Sequence, residues 1–228
     1  MARVLQKEIG KLKRLILALG ALVEENLHNA VRAITDRDDK LAQTVIERDA
    51  EIDQMEIDVE EEGLKILALH QPVAIDLRFI VSVLKINNDL ERIGDLAGNI
   101  AERAVALASS DPVELPFDVQ DMCEQVKLML KKSLDALVNF DSDLARDVIG
   151  SDDQVDDLNR DVYDEVLSEM LRTPVRCPTL INFFTVSRGL ERIADHATNI
   201  AQDVIYMLEG DIIRHKTAVP APGAEGAS

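Results

Sequence analysis

The feature that most constrains the fold of this chain is an internal duplication. Residues 90–101 read LERIGDLAGNIA and residues 190–201 read LERIADHATNIA, an offset of 100. Upstream, DAEID (49–53) aligns with DDQVD (152–156) at an offset of 103, so the second copy carries a short deletion. A repeated unit of this kind buries its apolar face against its neighbour, and the duplication therefore predicts two similar units packed together.

The stretches between the prolines have the periodicity of helices. The seven prolines fall in three interior places and in the C-terminal tail. Between them, apolar residues recur every three or four positions, which predicts helices. Aromatic residues make up only 3% of the chain, and a core of Leu, Ile, Val, Ala and Met suits helix-on-helix packing. We predict an all-α fold of two tandem three-helix bundles, with helices over 3–35, 39–70, 74–108, 117–139, 142–172 and 177–209.

The same pattern sets the expected domain boundaries. The first repeat covers 1–110, a Pro-containing linker covers 111–116, and the second repeat covers 117–215. Residues 216–228 are rich in Ala, Pro and Gly, a composition that does not form a packed core. We expect this tail to be disordered.

The charge of the chain restricts its partners. The formal net charge is −18, and a surface of this sign repels nucleic-acid phosphates and anionic lipid headgroups. The N-terminal residues lack the pattern of a signal peptide, and no stretch approaches the roughly 20 apolar residues of a membrane span. We therefore expect a cytoplasmic protein that binds no nucleic acid, does not insert into a membrane, and prefers basic partners or cations.

Each copy carries two pairs of carboxylates spaced one helical turn apart, on its second and third helices. Like charges at this spacing repel by about 0.2–0.5 kcal/mol per pair, a cost that a bound cation would remove. A ligand set made only of oxygens favours Mg²⁺, Mn²⁺, Ca²⁺ or iron over a structural zinc ion. The candidate metal ligands are Asp49, Asp53, Glu91 and Asp95 in the first copy and Asp152, Asp156, Glu191 and Asp195 in the second.

These acids also have a simpler interpretation as a solvated face of a strongly acidic protein. The choice among iron, manganese, magnesium and zinc stays open, and no organic cofactor is expected. Arg92 and Arg192 follow the two glutamates, and we expect them to pair with neighbouring acids rather than to bind phosphate. His196 aligns with Leu96 in the first copy, which argues against a ligand role for it.

A catalytic interpretation finds little support in the sequence. Ferritin-like di-iron proteins use a Glu-x-x-His on each of two helices, and this chain has one such match, Glu25 to His28, without an equivalent in the second copy. A Gly-rich phosphate loop, a nucleophile elbow and an HExxH sequence are all missing. We expect no enzymatic activity. A carboxylate-bridged metal protein of the ferritin-like oxidase or metal-storage class is the alternative.

The two LERI-containing segments, each preceded by an acidic pair on a long helix, resemble the duplicated signature of the PhoU family of bacterial phosphate-uptake regulators. Residues 70–95 and 12–31 also resemble parts of the family's first repeat, and the resemblance covers about 3–210. It implies two three-helix bundles related by a pseudo-twofold axis, and metal ions bound by the acidic pairs.

The same resemblance implies a function. Such a protein is a non-enzymatic cytoplasmic adaptor between the ATPase of the phosphate ABC transporter and the phosphate-sensing histidine kinase. It represses the phosphate-starvation response, acts at the inner face of the plasma membrane through its partners, and forms a homodimer. Because Glu56 and Glu60 align with Asn159 and Tyr163, we expect the second metal site to bind more weakly than the first.

Overall fold

The computed structural model describes residues 2–110 and 119–210, and every regular element in these two ranges is helical. The predicted linker at 111–116 and the predicted tail at 216–228 lie outside the described residues, as does the start of the fourth predicted helix. The elements are α1 (Ala2–Thr35), α2 (Asp39–Glu47), α3 (Asp49–His70), α4 (Ala74–Ala108), α5 (Val119–Asn139), α6 (Ser142–Arg172) and α7 (Cys177–Glu209), with a 3₁₀ turn at Pro174–Arg176.

The prediction of one helix over 39–70 was wrong at Arg48, where a turn separates α2 from α3. The carbonyl oxygen of Arg48 accepts hydrogen bonds from the backbone N–H groups of both Glu51 and Ile52, which tightens the chain locally. Helix propensity does not explain the break, because α6 runs unbroken through the matched region although it contains Gly150. The Arg48 guanidinium lies 2.8 Å from Glu25 of α1, a contact between helices that periodicity does not reveal.

The corner between the first two helices of each repeat has the same construction. Asp38 caps α2 and Asp141 caps α6, each through a side-chain oxygen that accepts two backbone N–H bonds. The residue before each cap, Arg37 or Phe140, has a left-handed backbone with φ of 54° or 57°. Replacing such a cap by Ala typically costs about 1 kcal/mol. The duplication therefore extends to the cap atoms.

Apolar residues three or four positions apart form a buried stripe along each of α4 and α7. Their twelve members are all at most 2% exposed. They are Leu90, Ile93, Ala97, Ile100, Ala104 and Leu107 in α4, and Leu190, Ile193, Ala197, Ile200, Val204 and Met207 in α7. These residues belong to one continuous core that includes residues from all seven helices.

The two repeats meet mainly through α4 and α7, which pack against each other. Within its own repeat, α4 also packs on α1, α2 and α3, while α7 packs on α5 and α6. Both helices are thus covered on more than one face, so polar residues outside the apolar stripe are buried as well. None of the helices within 2–110 and 119–210 is long and apolar enough to cross a membrane.

Candidate functional site

The structure brings the four predicted carboxylates of the first repeat together between α3 and α4. Burial raises the pKa of Asp49, and the charges of Asp53 and Asp95 raise it further. Burial also raises the pKa of Glu91, with the charge of Asp95 adding to it and the Arg92 guanidinium opposing it. These mutual effects place the four groups in one electrostatic unit, which we call the first acidic cluster.

Glu56 is a further member of this neighbourhood that the spacing argument did not select. Burial and the charges of Glu60 and Asp53 raise the pKa of Glu56. Its side-chain oxygen accepts a hydrogen bond of 3.0 Å from Asn87, which is 1% exposed. Asn87 also donates to the Glu56 backbone carbonyl at 2.9 Å. A buried amide facing the carboxylate row was a signal available in the sequence, because it interrupts an otherwise apolar face.

The second acidic cluster consists of Asp152, Asp156, Glu191 and Asp195, on α6 and α7. Burial raises the pKa of Asp152 to about 6, and the charges of Asp195 and Asp156 contribute, while a contact from the Thr198 hydroxyl opposes the shift. Burial and the charges of Glu191 and Asp156 likewise raise the pKa of Asp195. In both repeats, therefore, the predicted carboxylates lie close enough for their charges to act on one another.

The two clusters differ in how their first aspartate is placed. Asp49 is the first residue of α3 because the chain breaks at Arg48, whereas Asp152 lies well inside the continuous α6. A negative charge is stabilised at a helix N-terminus and not in a helix interior. Asp152 therefore holds its charge at a greater cost than Asp49 does, in agreement with its raised pKa.

The donor set of both clusters fits a hard cation. One oxygen in each cluster, Oδ1 of Asp49 and Oε2 of Glu191, is buried without a hydrogen-bond partner. A buried carboxylate oxygen of this kind is costly unless a proton or a cation satisfies it. Within the described ranges, however, no three Asp, Glu, His or Cys side chains converge closely enough to hold one ion. Metal binding by the clusters therefore stays a prediction.

The two arginines beside the clusters behave differently. Arg92 pairs with Glu91 at 3.4 Å and with Asp95 at 3.2 Å, as predicted. Arg192 forms no ion pair with any residue in the parts of the chain that the structure describes, so the prediction of acid pairing does not hold for it. Instead, Arg188, which lies one turn before Arg192, pairs with Glu191 at 3.3 Å.

The Glu25-x-x-His28 match does not form part of a buried metal site. Glu25 pairs with Arg48, and its side chain is 56% exposed. His28 is exposed on the same helix. Neither residue therefore points into the bundle interior, where ferritin-like proteins place these ligands. No observation in the described residues favours the oxidase or storage alternative.

A set of polar contacts between the repeats was missed from the sequence. Asp89 of α4 lies 2.8 Å from Nδ1 of His196 on α7, and Asn199 donates to the same carboxylate at 3.4 Å. Further along the same two helices, Lys85 pairs at 3.3 Å with Asp203, which is 2% exposed. The mismatch of His196 with Leu96 was the available signal, since a position that differs between copies can serve a contact made only once.

The fold and the paired acidic clusters define a class: duplicated, all-helical proteins in which each three-helix unit carries its carboxylates on its second and third helices. A sequence model of the PhoU domain matches the chain twice, over 16–104 and 119–204. The chain belongs to the PhoU family.

Relatives and solved structures agree with this assignment. The phosphate-specific transport system accessory protein PhoU homolog of Pseudomonas aeruginosa is 41% identical over 209 residues, covering 91% of this chain and 86% of the relative. The homolog of the same name from Aquifex aeolicus is 39% identical, covering 92% and 95%. The crystal structure of PhoU from Pseudomonas aeruginosa matches with a TM-score of 0.87 at 41% identity, over 90% of this chain and 99% of that one.

A more distant structure shows the same fold. The phosphate transport system regulatory protein PhoU from Streptococcus pneumoniae matches with a TM-score of 0.81 at 27% identity, over 91% of this chain and 98% of that one. The likeness therefore covers both repeats and their mutual packing, beyond a single three-helix unit.

Proposed function

We propose that this chain is a regulator of phosphate uptake, an accessory protein of a phosphate transport system. The observation that carries the proposal is the likeness of the entire two-repeat fold to PhoU proteins, at 41% identity and over 99% of the Pseudomonas aeruginosa chain. The likeness includes both repeats and the packing between them, so it extends beyond a single repeat. Fold alone would be a weaker argument, since one fold hosts many functions.

In this proposal the chain acts as a non-enzymatic cytoplasmic adaptor, held at the inner face of the plasma membrane by its partners. It contacts the ATPase of a phosphate ABC transporter and a phosphate-sensing histidine kinase, and it represses the phosphate-starvation response when phosphate is plentiful. The homodimer is part of the same proposal. The net charge of −18 favours partner surfaces that are basic.

Each repeat offers an exposed apolar surface that supports the adaptor role. At the corner between α3 and α4, Leu69 and Val73 are 67% and 74% exposed. At the corner between α6 and α7, Leu171 and Val175 are 77% and 85% exposed. Grouped apolar side chains exposed at this level commonly mark protein contacts. Two such corners, one per repeat, suit a protein that must contact two partners.

Deleting the gene tests the regulatory role. Loss of a repressor should raise alkaline phosphatase expression in phosphate-rich medium, and a plasmid carrying the intact chain should restore repression. Unchanged expression in the deletion strain would contradict the proposal.

Point variants in the same strain test the two corners. Val73→Glu and Val175→Glu place a charge on the exposed apolar surfaces and should fail to restore repression, although each protein should fold. Leu128→Glu is the matched control, because Leu128 is also half-exposed, at 51%, but lies on α5. Equal complementation by all three variants would remove the corners from the proposal and leave the regulatory role standing.

The acidic clusters are proposed to bind divalent or iron-type cations. Protein purified without added metal or chelator should contain such ions by mass spectrometry, and Glu91→Gln with Glu191→Gln should remove them. Titrating metal into the two single variants compares the repeats, and we expect the second cluster to bind more weakly because fewer acids surround it. Equal affinity would contradict that ranking, and metal-free wild-type protein would return the carboxylates to a solvated acidic face.

A further inference from the structure

Two cavities occupy equivalent positions at opposite ends of the contact between α4 and α7. One lies beside Lys85, Asp89 and Asn199. The other, which we call the arginine cavity, has a volume of about 200 Å³. Its polar lining comes from both helices and consists of Asn99, Arg103, Thr185, Arg188 and Arg192.

The arginine cavity has a positively charged lining, although the chain as a whole is acidic. Three guanidinium groups line it, and no carboxylate does. Arg103 pairs with Glu102 at 3.1 Å and Arg188 pairs with Glu191 at 3.3 Å, both outside the lining. A guanidinium has five N–H donors, so one carboxylate leaves most of them available. The lining thus keeps an excess of positive charge and of hydrogen-bond donors.

Two of the three arginines have donors without a protein acceptor. Nε of Arg103 is fully buried and has no hydrogen-bond partner. Arg192 makes no ion pair with any residue of 2–110 or 119–210, and its side chain is exposed to solvent, so the burial cost applies to Arg103 alone. A buried N–H group without an acceptor costs about 1–3 kcal/mol, and an anion held in the cavity would supply the missing acceptor.

The equivalent cavity shows that this charge is not a by-product of the duplication. The lining there includes the Asp89 carboxylate, which contacts His196, and the Lys85 ammonium beside it is paired with the buried Asp203. Four aligned positions differ in charge between the two cavities. Three of these differences make the arginine cavity more positive than its equivalent, and the fourth, Thr185 in place of Lys85, makes it less positive. The three are Asn88 against Arg188, Asp89 against Gly189, and Asp203 against Arg103.

We propose that the arginine cavity binds a phosphate-class oxyanion, either inorganic phosphate or the phosphoryl group of a small metabolite. Guanidinium groups recognise such anions through paired N–H···O contacts. The arginines come from two facing helices, and the Asn99 amide belongs to the same lining. A tetrahedral anion has oxygens in several directions for such donors. A carboxylate ligand has only two oxygens. Drug-sized ligands usually need about 300–1,000 Å³, so the cavity fits a group of phosphate size.

Calorimetric titration of the full chain at low ionic strength tests this proposal. A chelator is present throughout, because a metal ion on an acidic cluster could itself bind phosphate. The two probes are inorganic phosphate and the phosphomonoester glycerol 3-phosphate. Wild-type protein should show saturable binding to one site. Arg192→Gln should weaken binding by about tenfold or more, since it removes a charge-assisted bidentate donor.

Arg92→Gln is the matched control. It makes the same change of charge at the equivalent position of the first repeat, where Arg92 pairs with acids and lies outside the cavity. The affinity of the Arg92→Gln variant for both probes should stay within about twofold of that of the wild-type protein. Arg103→Gln serves as a second cavity variant, and circular dichroism checks that each variant is folded.

The pattern of losses decides the result. Weakening by both cavity variants with retention in Arg92→Gln supports the site, and the tighter of the two probes identifies the source of the phosphoryl group. Three results would overturn it: no saturable binding of either probe up to about 10 mM, equal losses in Arg92→Gln and Arg192→Gln, or wild-type affinity in both cavity variants. The titration does not involve the phosphate-starvation response, so its failure would leave the regulatory role untouched.

Discussion

Neutralising Asp152 should stabilise the folded protein at neutral pH. Burial and two neighbouring aspartates raise the pKa of this group from 3.8 to about 6. A raised folded-state pKa of an acid means that the folded state holds the proton more tightly than the unfolded chain does. The full difference between the two pKa values corresponds to a loss of about 3 kcal/mol in the free energy of unfolding. Solvent screening of this half-buried group reduces the loss to about 1 kcal/mol. Asp152→Asn should therefore raise the free energy of unfolding by about that amount at pH 7.5.

The sign of the pH dependence follows from the same difference. Well below the unfolded-state pKa of 3.8 the carboxyl is protonated in both states and the penalty is absent. As the pH rises from about 4 to about 6, the unfolded chain loses the proton first and the penalty develops, and above that range it is complete. Urea denaturation in the presence of a chelator should thus show a gain for Asp152→Asn at pH 7.5 that is largely lost at pH 4.

The control is Asp161→Asn, which removes an exposed carboxylate from the same helix and should change stability by less than about 0.5 kcal/mol at either pH. A gain for Asp152→Asn no larger than the control's, or one that is equal at the two pH values, would refute the electrostatic reasoning. Adding a divalent cation gives a second readout. If the cluster binds metal, the cation should stabilise wild type more than Asp152→Asn.

Three other substitutions in α4 test its contacts and its close approach to α3. Lys85→Met leaves the buried carboxylate of Asp203 without its 3.3 Å cation and should cost about 2 kcal/mol by denaturation, with Asp203→Asn in the same chain restoring part of the loss. Gly98→Ala meets no atom within 4 Å and should stabilise the helix by roughly 0.5–1 kcal/mol. Gly94→Ala, one turn earlier, would place its Cβ 3.0 Å from Ile52 and should be less stable than Gly98→Ala by about 1 kcal/mol; equal stability of the two alanine variants would contradict the close approach.

The parts of the fold that depend on local chemistry could be predicted from the sequence. Helix ends follow from prolines and from capping aspartates such as Asp38 and Asp141. The facing acidic pairs follow from helical spacing together with the short loop between the helices that carry them. Both arguments need only residues close in sequence or one antiparallel neighbour.

Features that depend on contacts between distant helices could not be predicted in this way. No proline or glycine lies near Arg48, so the sequence does not indicate the break between α2 and α3. Asp89 and Asp203 are charged, yet they are 7% and 2% exposed. A periodic pattern assigns one buried stripe to a helix, but α4 and α7 each pack on their own repeat and on each other. The second contact face is polar, and hydrophobic periodicity therefore leaves it undetected.

The two copies have changed in different ways at their cores and at their shared contact. In the cores, one pair of changes compensates. Gly94 faces Ile52 in the first repeat, and the aligned residues in the second repeat are Ala194 and Val155. One helix thus gains about the carbon atom that the other loses. Such exchange preserves volume, as close packing requires. At the contact between α4 and α7, changes add up instead. Asp89 against Gly189 and Asp203 against Arg103 both shift charge in one direction. Packing alone does not require such a charge difference. Two equivalent cavities that differ in charge are the result expected if the duplicated protein came to use its two ends differently.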